Sequence, residues 1–182
     1  MNIPNQLTLL RILLIPVFVL MFYLPYEWNN LMACIVFSLA GITDALDGYL
    51  ARKLNQTSSL GAFLDPVADK LMVAVALVLL VQQDPNLLLA LAAAIIIGRE
   101  ITVSALREWM AEIGARSKVA VSILGKIKTI AQLFAIGFLI FKNSVFGLPV
   151  YEIGLVLLYI AAFLTIISMF QYLLAAWPQL KE

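Results

Sequence analysis

The sequence predicts an all-α integral membrane protein: one domain, residues 1–182, built as a bundle of six transmembrane helices. Three observations lead there. Hydrophobic residues make up 63% of the chain and charged residues 13%, against about 45–50% and about 25% in average globular usage. The apolar residues gather into six runs, each near the roughly 20 residues that cross a bilayer. The polar breaks between the runs are too short to hold a second domain.

The first run covers about residues 7–24 and opens on Pro4-Asn5 and Thr8, which supply turn and N-cap chemistry. Residues 1–10 carry no basic side chain and no A-x-A-like site follows, so an uncleaved span is expected rather than a secretory signal. The second run, 31–53, follows Pro25-Tyr26-Glu27-Trp28-Asn29-Asn30, where Tyr26 and Trp28 suit an interfacial aromatic belt. Asn55-Gln56-Thr57-Ser58-Ser59 separates it from the third, 61–82, and Gln82-Gln83-Asp84-Pro85-Asn86 leads into the fourth, 87–110. The fifth, 119–141, follows Gly114-Ala115-Arg116-Ser117-Lys118, and the sixth, 150–176, follows Lys142-Asn143-Ser144. Gly154 and Ala161-Ala162 in the last run are small residues suited to close helix contact, a contact between subunits included.

Arg52 and Lys53, Arg116 and Lys118, and Lys181 fall at the second, fourth and final breaks, whereas the other side carries only Lys142. The positive-inside rule then puts both termini in the cytoplasm. Composition also excludes whole classes of function. A net charge of +1 gives no field for nucleic acid. The absence of histidine removes the Ser–His triad, His-ligated zinc and a histidine nucleophile. Cys34, the only cysteine, has no intrachain partner and is expected as a small buried hydrophobe.

The acids carry the functional signal. Of five aspartates, Asp44, Asp47, Asp65 and Asp69 lie inside the second and third runs. Carboxylates there cost at least a few kcal/mol each and are functional by default. Asp44 and Asp47 are spaced i,i+3 and Asp65 and Asp69 i,i+4, so each pair shares a helix face. The short connection makes the two helices antiparallel neighbours. Counting outward from Thr57, Asp47 and Asp65 lie at similar depth, with Asp44 and Asp69 about one turn deeper. Four carboxylates converging on one site need cations, and all-oxygen ligation suits Mg²⁺ or Mn²⁺. Two such ions about 3.5–4 Å apart stabilise the attacking and leaving oxygens of a phosphoryl displacement. Without histidine, the general base must be a carboxylate. Arg52 lies on the Asp44-Asp47 face, suited to clamp a phosphate, and Gly48 and Gly61 leave room for a ligand. Pro66 frees a carbonyl early in the third run. Taken singly, Arg52 and Lys53 read as snorkelling anchors and Gly48 and Ala51 as helix-packing residues. A proton or ion pathway is the other reading of the acids.

Together these residues spell Asp44-x2-Asp47-Gly48-x2-Ala51-Arg52-x8-Gly61-x3-Asp65-x3-Asp69. The pattern resembles the signature of the CDP-alcohol phosphotransferase family at all eight defined positions. At about one in fifteen per position, chance agreement is on the order of 10⁻⁹ per start. The resemblance extends along nearly the whole chain. It implies that Asp44, Asp47, Asp65 and Asp69 hold two Mg²⁺ ions and that Asp69 takes the proton from the acceptor alcohol. It also implies that Asp47, Gly48, Arg52 and Gly61, with Asn5 and Thr8, hold the CDP group. The alcohol then attacks the phosphorus bearing the lipid, and CMP leaves.

Residues 98–109, Ser117 to Ser122 and Gly125 to Thr129 are similar to bacterial members that join CDP-diacylglycerol to sn-glycerol 3-phosphate. Pro4, Asn5, Leu7, Thr8 and Arg11 form a further, shorter match. Implied with these are a homodimer and a place in the bacterial inner membrane, with the site facing the cytoplasm. An anionic acceptor suits the cations present. Arg99 opens a face that continues through Thr102 or Val103 to Arg107, and Lys118, Lys126 and Lys128 lie on or near the next span. Arg99, Arg107, Lys118 and Lys126 are the candidate phosphate ligands. The plainer reading makes Arg107, Arg116, Lys118 and Lys128 interfacial anchors. It pairs Arg99 with a carboxylate other than Glu100, which is set aside as lying on another face. Rival functions are a family member with another acceptor (phosphatidylglycerol, inositol phosphate or serine) and an ion or proton transporter.

Overall fold

The computed structural model describes residues 3–54, 59–115, 123–145 and 147–180. Among the described residues are six helices: α1 (Ile3–Tyr23), α2 (Asn29–Leu54), α3 (Ser59–Gln83), α4 (Leu87–Glu112), α5 (Ile123–Phe141) and α6 (Val150–Leu180). They coincide with the six apolar runs, offset by a few residues at their ends. At 1.5 Å per residue, α3, with 25 residues, is about 37 Å long and α5, with 19, about 28 Å, against the roughly 30 Å of a hydrocarbon core.

Among the described residues, α1, α4 and α6 are apolar enough over a sufficient length to cross a membrane, and α2 and α5 carry the shorter apolar stretches Asn29–Asp44 and Ile127–Phe141. Charge gathers at one end of these two helices: Asp44, Asp47, Arg52 and Lys53 late in α2, and Lys126 and Lys128 early in α5. Asp65, Asp69 and Lys70 likewise stand early in α3.

Helix ends follow from local chemistry. Asn86 caps α4, its side-chain oxygen accepting from the Leu88 N–H at 2.8 Å. At the other end of α4, Gly114 takes a left-handed φ of 72°. Ala115 N–H then reaches the Met110 carbonyl and Gly114 N–H the Ala111 carbonyl, the paired bonds of a Schellman termination. Tyr26 and Trp28 stack with ring centroids 5.0 Å apart at the exposed α1–α2 break.

The arrangement of the first three helices differs from a simple α2–α3 hairpin. α1 packs extensively along α2 and also along α3, while α2 and α3 touch over a shorter stretch. In the second half, α5 and α6 form the most extensive pair and α4 lies against α6. The halves join through α2–α5, α3–α4 and α3–α5 contacts. Phe18, Phe37, Leu77, Leu80, Ile96, Ile136 and Leu158 are buried at the centre. The exterior is just as apolar. Leu13, Phe63, Phe134, Phe163 and Leu174 are all exposed, from 59% at Phe134 to 72% at Leu174. Such a surface in water would aggregate; against lipid it is solvated. The chain is a membrane protein.

Cys34 is half-buried between α2 and α5, its thiol 3.6 Å from the Gly137 carbonyl. Gly154 serves a contact within the chain. A Cβ there would stand 3.1 Å from Leu139 Cγ and Phe138 Cβ and 3.2 Å from the Ala135 carbonyl oxygen. Ala161 and Ala162 are buried on the same helix. Replacing Gly154 by Val is expected to overpack the α5–α6 seam, costing about 1–3 kcal/mol. Thermal denaturation in detergent reads this as a lower Tm.

Candidate active site

The carboxylates are gathered by α1. Thr8 and Arg11 are one turn apart on that helix, share a face and are buried. Thr8 Oγ1 donates to Asp65 Oδ1 at 2.5 Å, and Arg11 Nη1 meets Asp44 Oδ1 at 2.6 Å. One face of α1 therefore reaches α3 with one residue and α2 with the next. The spacing also measures depth: Arg11 lies about 4.5 Å further along α1 than Thr8, so Asp44 sits about one turn from the level of Asp65. That is the offset read from the distances to Thr57. Asn5, one turn before Thr8, is buried as well.

Asp69, one turn beyond Asp65, borders a narrow crevice that Arg11, Phe37, Gly41 and Met72 also line. It is within electrostatic reach of Asp44, Arg11, Glu100 and Lys70. Pro66 sits between Asp65 and Asp69 and cannot donate to the carbonyl of residue 62. Among the described residues no three acidic side chains stand close enough together to hold a metal ion. The side chains of Asp47, Gly48 and Arg52 lie outside the described residues, although their helix positions within α2 are set. Gly61 is buried early in α3.

On its other side Asp69 borders a cavity of about 180 Å³ between α3, α4, α5 and α6, lined by Lys70, Arg99, Glu100, Arg107 and Gln132 among others. Val103 lines it too, so the cationic face of α4 runs from Arg99 through Val103 to Arg107. Thr102 is exposed and its hydroxyl donates back to the Gly98 carbonyl at 2.8 Å. Arg99 is buried deep in α4. Its Nη1 donates to Glu100 Oε1 at 2.9 Å, its Nη2 to Ser168 Oγ at 3.3 Å, and its Cζ lies 5.5 Å from the centre of the Tyr172 ring.

Two expectations change here. Glu100 does pair with Arg99, despite adjacent backbone positions, because both side chains are long enough to bend toward the same cavity. Lys128 is no interfacial anchor: it is buried on α5, and its Nζ meets Glu100 Oε1 at 3.0 Å. Glu100 thus bridges two buried cations. Of the other basic candidates, Arg107 lines the cavity and Lys126 is placed on α5 with its side chain outside the described residues. Lys118 lies outside them altogether.

Lys70, Glu100, Gln132 and Tyr172 reach the cavity without having been singled out in the sequence. Lys70 carried the one available signal, a cation next to Asp69 within an apolar run. Its ammonium donates to the Ser104 hydroxyl across to α4.

Comparison with known proteins places the chain in a family. A bacterial protein from Pseudomonas fluorescens named CDP-diacylglycerol–glycerol-3-phosphate 3-phosphatidyltransferase is 58% identical over 182 residues, covering 100% of this chain and 93% of its own. The protein of the same name from Sodalis glossinidius is 54% identical, covering 100% of this chain and 98% of its own. That from Shigella flexneri serotype 5b is 51% identical over 181 residues with the same coverages. The family model for CDP-alcohol phosphatidyltransferase matches residues 1–167. The chain belongs to the CDP-alcohol phosphatidyltransferase family.

Proposed function

We propose that this protein transfers the phosphatidyl group of CDP-diacylglycerol to sn-glycerol 3-phosphate, giving phosphatidylglycerophosphate and CMP. The observation that carries the reading is the position of Asp69. It borders both the crevice shared with Arg11, whose guanidinium holds Asp44, and the cavity lined by Arg99 and Arg107. A base for the acceptor alcohol is needed at just such a junction.

The donor set fits a hard divalent cation. Asp44, Asp47, Asp65 and Asp69 offer only carboxylate oxygens, with no imidazole or thiolate. Asp44 already attracts a positive group, the Arg11 guanidinium. These four aspartates would hold two Mg²⁺ ions, which would supply charge neutralisation to the pyrophosphate. Asn5, Thr8, Asp47, Gly48, Arg52 and Gly61 hold the CDP group, with Arg52 on its phosphates. Arg99, Arg107, Lys118 and Lys126 hold the phosphate of the acceptor. The acceptor's primary hydroxyl oxygen forms a bond to the phosphorus bearing diacylglycerol. Asp69 takes the hydroxyl proton, the bond from that phosphorus to the CMP oxygen breaks, and CMP leaves.

The six helices are read as six spans with both termini in the cytoplasm, a reading supported by the basic residues of the breaks. Charge collects late in α2 and α4 and early in α3 and α5, which is one end of an up-and-down bundle. In the inner membrane of a bacterium the lipid donor then arrives sideways from the bilayer and glycerol 3-phosphate from the cytoplasm. The homodimer implied by the family resemblance is part of this reading.

Asp69→Asn protein that keeps the wild-type Tm is expected to lose at least about a hundredfold in kcat, measured as CMP release in detergent. Chelation of divalent ions should abolish wild-type turnover and added Mg²⁺ restore it. Wild-type rates in Asp69→Asn would remove the base assignment. Arg107→Ala and Lys126→Ala are each expected to raise KM for glycerol 3-phosphate about tenfold, as for loss of a charge-assisted hydrogen bond. KM for CDP-diacylglycerol should stay near its wild-type value. Equal changes in both constants would make them structural cations.

A further inference from the structure

The polar side chains around the cavity are mostly engaged. Arg99 holds Glu100 and Ser168 through its terminal nitrogens while its buried Nε–H stays without a partner, and Lys70 holds Ser104. Gln132 is different. It lies mid-way along α5, is 4% exposed and lines the cavity, yet its side-chain carbonyl oxygen has no hydrogen-bond partner. Thr165 also has a buried hydroxyl oxygen without a partner but does not line the cavity. An amide carbonyl buried without a donor is costly and is retained where something donates to it.

The chemistry around Gln132 narrows what that donor is. Arg99, Arg107 and Lys70 place positive charge on the cavity wall, and Asp69 stands at its edge. A volume of about 180 Å³, at roughly 30 Å³ per water, admits a small phosphorylated polyol and not a lipid. Of the functional groups on glycerol 3-phosphate, the phosphate suits the cations and the primary hydroxyl suits Asp69. The secondary hydroxyl is left, and it is an O–H donor facing an acceptor that lacks one. The geometry points to Gln132 as a specificity-determining residue whose amide oxygen accepts a hydrogen bond from the non-reacting secondary hydroxyl of the acceptor. This rests on the function proposed above, and it names the group by which that site tells a glycerol phosphate from a simpler phosphorylated alcohol. Sites built to bond a substrate hydroxyl reject analogues lacking it far more strongly than apolar pockets reject a missing methylene.

The test compares two acceptors on the full-length enzyme in detergent with CDP-diacylglycerol and Mg²⁺. One is sn-glycerol 3-phosphate and the other its 2-deoxy analogue, 1,3-propanediol monophosphate. Wild-type enzyme should favour the first by about tenfold or more in kcat/KM. Gln132→Met, similar in shape but without the oxygen, should bring the ratio close to one by losing rate on glycerol 3-phosphate alone. Gln132→Glu, which keeps an accepting oxygen, should retain a preference. An unchanged ratio in Gln132→Met, or an equal loss on both acceptors, overturns the assignment. So does wild-type enzyme that treats the two alike, a result that needs no variant to fold. Wild-type protein that transfers to neither acceptor overturns the parent function, and is distinguished from the other outcomes by the absence of CMP release.

Discussion

A buried arginine held against a carboxylate organises the first half of the molecule. Arg11 is 1% exposed and its guanidinium lies 2.6 Å from Asp44. Asp44 is nearly half exposed, so the need lies with the arginine, whose buried guanidinium gains a counter-charge from that carboxylate. α1 is therefore held to α2 at that level. Thr8, one turn away, holds α1 to α3 through Asp65. Two polar contacts from one helix face thus tie both acid-bearing helices to α1.

The second half solves the same problem with the signs reversed. Arg99 and Lys128 are buried cations, and Glu100 meets both at about 3 Å. The triad carries one uncompensated positive charge, with Arg107 and Lys70 adding to it around the cavity. A dianionic phosphate is the natural complement, whereas a neutral alcohol would leave the wall under-compensated. Glu100 does not cancel the site. It draws two long, flexible cations into fixed positions, as a preorganised phosphate site requires.

Much of this was legible in the chain. Hydropathy and the polar breaks located all six helices, and i,i+3 and i,i+4 spacing put the aspartates on shared faces. Their relative depth, counted from Thr57, agrees with the Thr8–Asp65 and Arg11–Asp44 contacts. What stayed hidden depends on tertiary contact. Hydropathy makes α1 an ordinary span, so its position against both α2 and α3 has no one-dimensional trace. Glu100 was set aside on backbone direction, but two extended side chains reach across the angle that separates their Cα atoms. Gln132 is a single amide in a long apolar run and acquires meaning only once its surroundings are known.

These two half-solutions meet at Asp69. Asp69 borders the crevice that Arg11 lines as well as the cavity lined by Arg99 and Arg107. Arg11 lines the crevice on one side of Asp69, and Lys70 and Glu100 the cavity on the other. Val73, one turn further along α3, lines both spaces too, but of the two only Asp69 carries an ionisable group. On the proposed function, the proton acceptor stands at the seam between an anionic and a cationic compartment, and the two substrates bring their phosphates to opposite sides of it.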